Sequence, residues 1–294
     1  MHSIVFVIAT LIIFVLLPHP ISAKTSFGKL MATPASNAAN ATPIPTTAPA
    51  VLGTTTFIGP VKPSVTPMPK NQIKKNTVTI ALLGDSMMDT LGPTAPALQT
   101  ALKKIYPKTT FTIKNFGVGG TGIQYGIKRI TEGYTYLGKS YPSLIETNPD
   151  IVVIESFGYN PFGDDAGTID SHWLLLAKAV DTVKAHLPNA KIVMAATIAP
   201  NANRFGDGAA GLSFSVIDKW QRTTTIKKYL ENTVRFASGE HLPLADAYHP
   251  SLLPDGNGNL TYINGGDHIH YSDKGRALMA AKIAEAFTKN NLLE

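Results

Sequence analysis

Three side chains of this sequence have the types and the spacing needed for acyl transfer by a hydroxyl nucleophile. Ser86 closely follows the apolar run of residues 77–83, and Asp267 stands three residues before His270. A serine hydroxyl needs a base, and a neutral histidine with a pKa of about 6.5 suits this role at neutral pH. An aspartate on the same short turn can accept an imidazole N–H and fix the tautomer. We expect Asp267 and His270 to be the only Asp/His pair that has this spacing and lies beside the start of a helix.

The elements that must position these residues alternate between strands and helices. Five short apolar runs predict strands, and the third is apolar on both faces, as a central parallel strand should be. Between them, apolar residues recur at helical spacing. This alternation predicts an α/β fold, a parallel five-stranded sheet covered on both faces by helices. The predicted strands are residues 77–83, 111–115, 150–154, 191–197 and 242–245, and the predicted helices are residues 95–106, 169–187, 214–230 and 273–290.

Polar and glycine-rich segments follow several of these strands. In an open parallel sheet, functional groups gather at the carboxyl ends of the strands. The segments are Gly84-Asp85-Ser86, residues 115–121, residues 156–160 and, before the last helix, residues 267–270. Together they supply a hydroxyl nucleophile, a base, an orienting acid and neutral donors for an oxyanion. These are the parts of an acyl-transfer site.

In their order and spacing, the four segments resemble the sequence blocks of the SGNH (GDSL-type) esterase and lipase superfamily. The resemblance covers residues 77–294 and implies a three-layer α/β/α, flavodoxin-like fold. It implies that Ser86 is the nucleophile, that His270 is the base and that Asp267 orients His270.

The resemblance also implies an oxyanion hole. Its donors would be the backbone N–H groups of Ser86 and Gly120 and the side-chain amide of Asn160, and each such donor typically contributes about 3 kcal/mol to transition-state stabilisation. One position departs from the superfamily pattern, because Pro161 follows Asn160 where an aspartate is usual. The donor is kept, but the residue that normally helps to fix this loop is not.

Each of these residues also has a purely structural interpretation. Ser86 belongs to a residue type favoured as a helix N-cap, Gly120 suits an ordinary turn, and Asn160 before a proline suits a plain turn. Asp267 and His270 would then be a turn cap and a surface histidine.

Composition and spacing argue against cofactors, metals and nucleic acid. A zinc site from His249, His268 and His270 would lack a helical His-x-x-x-His pair, and we expect His268 to face away from His270. The glycine segment lacks the dinucleotide fingerprint, and the chain has no Cys. The six lysines of residues 1–76 account for the whole net charge of +6. Because residues 77–294 are formally neutral, we predict no nucleic-acid partner. Because the helical His pair, the dinucleotide fingerprint and Cys are all lacking, we predict no metal and no cofactor.

The N-terminal part of the chain indicates export. Residues 4–17 are apolar apart from Thr10, which is the length of a signal-peptide core and short of the roughly 20 residues of a membrane-spanning helix. No Lys or Arg precedes this run, so residues 1–23 are predicted to be either a cleaved signal peptide or a retained anchor. Residues 24–76 are rich in Pro, Thr and Ala, and this composition predicts a disordered linker.

Taken together, these features predict an exported or membrane-tethered serine esterase. We expect its substrate to be a small-molecule or glycan ester, with deacylation of a carbohydrate or cell-wall glycan favoured. An O-acyltransferase using the same acyl-serine and a non-catalytic glycan-binding module are the alternatives. The presence of Ser86, Asp267 and His270 together favours an enzyme over a binding module.

Overall fold

The structure, a computed structural model, describes residues 76–294. The predicted signal or anchor segment, residues 1–23, and the predicted linker, residues 24–76, lie outside the described residues apart from Asn76. The strands of the described part are β1 (Thr77–Gly84), β2 (Thr110–Gly117), β3 (Tyr134–Tyr136), β4 (Lys139–Tyr141), β5 (Ile151–Glu155), β6 (Lys191–Ala196) and β7 (Leu244–Asp246). Its helices are α1 (Ser86–Asp89), α2 (Pro96–Ile105), α3 (Ile123–Thr131), α4 (Ala166–His186), α5 (Val216–Gly239) and α6 (Asp273–Lys289).

Five of these strands form one parallel sheet in the order β2-β1-β5-β6-β7. Counted along the chain without the β3–β4 hairpin, the order is 2-1-3-4-5, which is the flavodoxin-like arrangement. The predicted five-stranded parallel sheet is therefore confirmed. Each predicted strand agrees with an observed one to within two residues at either end.

Side chains alternate between the two faces of the central strands, and both faces are buried. One face of the sheet packs against α2 and α6, and the other packs against α3, α4 and α5. Burying a Leu or Ile side chain contributes roughly 1.5–3 kcal/mol, so these two layers hold the central strands in place. The first face presents Ile80, Leu82, Ile151 and Val153, and the second presents Ala81, Leu83, Val152 and Ile154.

The register of the sheet brings the carboxyl ends of its strands to one edge. Gly84 lies opposite Gly117, and Ala196 lies opposite Asp246. The segments that follow β1, β2, β5 and β7 therefore emerge on the same side of the molecule, as the sequence predicted. Among residues 76–294, no helix has both the length and the apolar composition needed to cross a bilayer.

Three elements differ from the predictions. Helix α3 and the β3–β4 hairpin were not predicted, and α5 continues to Gly239 rather than ending near residue 230. In α5 the apolar pattern is broken by buried polar residues such as Asn232, whose side chain donates to the Ile169 carbonyl at 3.1 Å. Helix α3 has only 9 residues, and its buried face includes Gly126, where a Cβ would lie 2.2 Å from the Phe157 ring.

Candidate active site

Ser86 is the first residue of α1, directly after the turn that ends β1. Asp85 caps this helix, because its Oδ1 accepts the Met87 N–H at 2.8 Å. The turn needs glycine at position 84, since a Cβ there would lie 2.4 Å from Met88 Cγ. Asp85 is buried while Ser86 is half-buried. Asp85, and not Ser86, is thus the helix cap, so capping does not explain the presence of Ser86.

Asp267 and His270 form a hydrogen-bonded pair on the turn before α6. Nδ1 of His270 donates to Asp267 Oδ2 at 2.9 Å, while Asp267 Oδ1 accepts the N–H groups of Ile269 at 2.9 Å and His270 at 3.1 Å. Burial opposes the charge of Asp267, but these hydrogen bonds outweigh it and lower its pKa to about 2. The carboxylate is therefore ionised at neutral pH, and the imidazole is held with its Nδ1 proton facing it.

The His270 ring lies near the two carboxylates that flank Ser86 along the chain. Burial raises the pKa of Asp85 and of Asp89, and the charge of the nearby His270 lowers it in both. No hydrogen bond joins Ser86 Oγ to His270 Nε2 in the described part of the chain. Catalytic hydrogen bonds often tighten only when a substrate is bound.

The three expected oxyanion donors each keep an N–H without an acceptor among the described residues. The Ser86 N–H is not used by the cap, and Gly120 has a φ of +69°, which favours glycine. Asn160 donates one side-chain N–H to Asp85 Oδ2 at 2.9 Å, which fixes the amide beside Ser86 and leaves its second N–H. In contrast, the Gly119 N–H donates to the Tyr136 hydroxyl at 3.2 Å.

The loop that carries Asn160 is fixed by several contacts although Pro161 follows it. The Asn160 N–H donates to the Phe157 carbonyl at 3.1 Å, and the Phe162 N–H donates to the Tyr229 hydroxyl at 3.1 Å. Phe157 adopts a φ of +52°, which is strained for an aromatic residue. The two hydrogen bonds hold this loop with proline at position 161.

Sequence reasoning missed a buried carboxylic acid directly beneath the nucleophile turn. Glu155 ends β5, accepts the Asp85 N–H at 3.2 Å and accepts the Ser156 hydroxyl at 2.6 Å. Burial, followed by the charge of Asp85, raises the pKa of Glu155 well above its usual range. The one signal in the sequence is that an acidic residue ends an otherwise apolar strand.

A buried arginine joins the nucleophile turn to the Gly120 loop, and nothing in the sequence pointed to it. Arg129 on α3 donates from Nη2 to the Gly84 carbonyl at 2.7 Å and from Nη1 to Thr121 Oγ1 at 3.2 Å. Its guanidinium lies over the Tyr125 and Tyr134 rings at 4.9 and 5.7 Å. Burial lowers its pKa to about 10, so it remains a cation at neutral pH.

The β3–β4 hairpin supplies a further residue to the site. The Tyr136 hydroxyl accepts the Gly119 N–H and donates to Asp89 Oδ2 at 2.8 Å. A Cβ on Gly119 would lie 3.0 Å from this hydroxyl and 3.8 Å from Ser86 Cβ. Tyr136 therefore ties the glycine loop to the helix that begins at Ser86.

The expectation that Asp267 and His270 are the only such pair was wrong. Asp246, at the end of β7, and His249 form a second pair, with Nδ1 donating to Oδ2 at 2.8 Å. His249 begins a short 3₁₀-helix at this same edge of the sheet. Its Nε2 lies 3.4 Å from Glu231 Oε2 and not beside a hydroxyl group.

His268 faces away from His270, as expected. Its Nδ1 donates to the Asp207 carbonyl at 2.7 Å. This hydrogen bond joins the loop between β6 and α5 to the turn that contains Asp267. Within residues 76–294, no three side chains of the metal-ligating types are grouped to hold an ion. The alternative of a zinc site from His249, His268 and His270 thus gains no support.

A known protein family matches the part of the chain that contains these site residues. The GDSL-like Lipase/Acylhydrolase family matches residues 82–278, a range that includes Ser86, Asp267 and His270. Among curated protein sequences, none matches the chain significantly.

Solved structures share the fold at low sequence identity. A lipase/acylhydrolase from Enterococcus faecalis is 19% identical with a TM-score of 0.51, over 72% of this chain and 96% of that one. A catalytic mutant of Axe2, an acetylxylan esterase from Geobacillus stearothermophilus, is 15% identical with a TM-score of 0.50, over 73% and 96%. The acetyl xylan esterase AlAXEase is 17% identical with a TM-score of 0.50, over 71% and 99%.

Proposed function

Because the chain belongs to the GDSL-like lipase/acylhydrolase family and is an ester-cleaving serine hydrolase, we propose that Ser86, His270 and Asp267 form its catalytic triad. The observation that carries this proposal is the 2.9 Å hydrogen bond from His270 Nδ1 to Asp267 Oδ2. With the proton on Nδ1, the lone pair of Nε2 is free to accept a proton from a hydroxyl group. The ring acts electrostatically on Asp85 and Asp89, the acids that flank Ser86.

The proposed reaction passes through an acyl-serine. His270 Nε2 takes the Ser86 proton as Oγ attacks the ester carbonyl, and the negative oxygen accepts N–H groups from Ser86, Gly120 and Asn160. The ester C–O bond then breaks, and His270 returns the proton to the leaving alcohol. Water, activated by the same histidine, attacks the acyl-serine and releases the carboxylic acid. Asp267 stays ionised throughout and stabilises the imidazolium.

We propose that the substrate is an O-acylated carbohydrate. Two solved structures with this fold are acetyl xylan esterases by name, although their identity to this chain is only 15–17%. The formal neutrality of residues 77–294 suits an uncharged glycan better than a polyanion.

Ester hydrolysis by the full chain tests the proposed triad. Wild-type protein should hydrolyse 4-nitrophenyl acetate, and Ser86→Ala should reduce the rate to the uncatalysed level. Ser171→Ala, which changes an exposed serine on α4, is the matched control and should stay within about twofold of wild type. Activity retained in Ser86→Ala would show that another group is the nucleophile.

Product analysis separates hydrolysis from transfer. Acetate released from acetylated xylan without an added acceptor supports hydrolysis. Acetyl groups that appear only on an added glycan acceptor would replace the proposal with O-acyl transfer through the same acyl-serine.

We propose, finally, that this reaction takes place outside the cytoplasmic membrane. The support is the apolar run of residues 4–17 and the Pro- and Thr-rich composition of residues 24–76. An alkaline phosphatase reporter fused after Asn76 should be active. Activity of only a cytoplasm-folding reporter would contradict the proposal.

A further inference from the structure

An open cleft of about 560 Å³ lies directly beside the loop that carries Asn160. Tyr159 and Pro161, the two neighbours of Asn160, form one wall, and Phe205 and Trp220 line it from the opposite segments. This volume is within the range of small-ligand sites, roughly 300–1,000 Å³. The loop that carries the proposed oxyanion donor Asn160 therefore also contributes Tyr159 and Pro161 to the wall of the cleft.

The walls of the cleft are held in place by contacts outside it. Lys228 donates to the Asp164 carbonyl at 2.8 Å, and Lys219 pairs with Asp207 on the loop before α5. Ser215 and Asp218 form a capping box that fixes the first turn of α5. The cleft is thus formed before any ligand binds, which lowers the entropic cost of binding.

The lining of the cleft combines aromatic side chains with polar side chains that can form hydrogen bonds. The Trp220 side chain is exposed, at 60%, on the first turns of α5. Asp164, Gln221, Arg222 and Thr225 also line the cleft. A flat apolar face next to donors and acceptors complements a sugar ring, which presents C–H groups on its faces and hydroxyl groups at its edge.

We infer that this cleft binds the sugar residues next to the esterified one, so that the glycan chain lies against Trp220 while its ester reaches Ser86. This inference rests on the proposed function, because it assumes that Ser86 acts on an ester of a glycan chain. One acidic and one basic side chain, Asp164 and Arg222, line the cleft, which fits a neutral saccharide.

The acyl chain of a lipid is the less suitable occupant. The Asp164 carboxylate lies 4.0 Å from Lys228, and the Arg222 guanidinium lies over the Phe214 ring at 4.3 Å. Enclosing a hydrocarbon chain here would remove water from both charged groups without adding hydrogen bonds, which is costly. Saccharide hydroxyl groups would instead replace the hydrogen bonds lost to water.

Direct binding is measurable by tryptophan fluorescence of the full chain. The chain has two tryptophans, and the other, Trp173, packs edge-on against Phe236 at 5.1 Å. Xylohexaose, cellohexaose and chitohexaose carry no ester, so their binding is independent of catalysis. At least one of them should change the fluorescence of wild-type protein, and Trp220→Phe should abolish this change. No change with any of the three would overturn the inference.

Calorimetric titration with the same oligosaccharide gives the size of the contribution. Trp220→Ala should weaken binding about five- to tenfold, as expected for the loss of an aromatic contact. Leu174→Ala, which removes an exposed side chain (68%) on α4 outside the cleft, should leave binding unchanged. Equal weakening in both variants would overturn the inference.

Steady-state kinetics can show whether the inference about the cleft is wrong or whether the proposed function itself is wrong. Trp220→Ala should lower kcat/KM for acetylated xylan about five- to tenfold and leave kcat/KM for 4-nitrophenyl acetate within about twofold. Equal losses on both substrates, or no loss on xylan, would overturn the inference. A wild-type protein that cleaves neither ester would contradict the proposed function, while the fluorescence titration would still decide whether the cleft binds sugar.

Discussion

Two turns at the same edge of the sheet are built almost identically. In Asp267–His270 and in Asp246–His249, the histidine Nδ1 donates to the aspartate Oδ2, at 2.9 and 2.8 Å. In both turns the histidine backbone N–H donates to the aspartate Oδ1 at 3.1 Å. The hydrogen bonds of an Asp-x-x-His turn therefore form within the four residues themselves and do not by themselves indicate a catalytic role.

The two turns differ in what lies beyond the outer nitrogen of the histidine. The His249 side chain is 47% exposed, and its Nε2 faces the Glu231 side chain rather than a hydroxyl group. The His270 side chain is 27% exposed and lies near Asp85 and Asp89, on either side of Ser86. We propose that an Asp/His pair alone does not make a general base, and that a hydroxyl group within reach of Nε2 is also needed.

The largest difference between the turns should appear when each histidine is removed. His270→Ala should lower kcat/KM for 4-nitrophenyl acetate by about 10⁴- to 10⁶-fold, because the Ser86 hydroxyl loses its base. His249→Ala should remain within about threefold of wild type. A loss of more than tenfold in His249→Ala would show that the second pair takes part in the reaction.

Changing each aspartate to asparagine should give the next largest difference. An amide at position 267 can donate to His270 Nδ1, which leaves the proton on Nε2 and prevents it from acting as a base. Asp267→Asn should therefore lower kcat/KM by about 10³- to 10⁴-fold, whereas Asp246→Asn should change it less than about twofold. Steady-state kinetics on the same ester measure both variants, and similar losses in the two would contradict the distinction.

Asn160 gives a third difference, because we propose an oxyanion donor beside Ser86 and none beside His249. Asn160→Ala should lower kcat by about 10²- to 10³-fold, as expected for one lost donor, and should leave the fold intact. Its thermal stability should fall, because the buried Asp85 Oδ2 loses a 2.9 Å hydrogen bond. An effect below about threefold would remove Asn160 from the site and indicate that Pro161 has altered its role.

The pH dependence of stability should report the ionised Asp267. Its folded pKa of about 2 lies below the ordinary aspartate value of 3.8, so its contribution to stability is fully present above pH 4 and is lost as the pH falls towards 2. Denaturant unfolding of wild type and Asp267→Asn should differ by up to about 2 kcal/mol at pH 6 and converge near pH 2. A difference that stays constant over this range would contradict the proposed stabilisation of the carboxylate by its turn.

The sheet was predictable because buried strands leave a strong apolar signal. Residues 151–154 are apolar on both faces, and the predicted strand of residues 150–154 is observed as the central strand β5 with a shift of one residue. Helix α3 gave a weaker signal because it has only 9 residues, and beside Ile123 and Ile130 its buried face includes Gly126 and Arg129. Their presence is explained only by contacts distant in sequence, the Phe157 ring for Gly126 and the Gly84 carbonyl for Arg129.

The candidate site was predictable only where its residues act through local turns. Asp267 and His270 are three residues apart, so spacing alone indicated their hydrogen bond. The contacts of Tyr136 with Gly119 and Asp89 join segments 17 and 47 residues apart, and no pattern indicates them. The same limit explains why the sequence could not tell the two Asp-x-x-His turns apart, because Glu231 and Ser86 lie far from either turn along the chain.

Covalent labelling by an organofluorophosphonate tests most directly whether His270 activates Ser86. The Ser86 oxygen should displace fluoride from phosphorus, which requires an activated hydroxyl group and donors for the phosphoryl oxygen. Peptide mapping should find the label on Ser86 in wild type and in His249→Ala, and should find none in His270→Ala. Labelling of Ser86 that survives in His270→Ala, or that disappears in His249→Ala, would contradict the account.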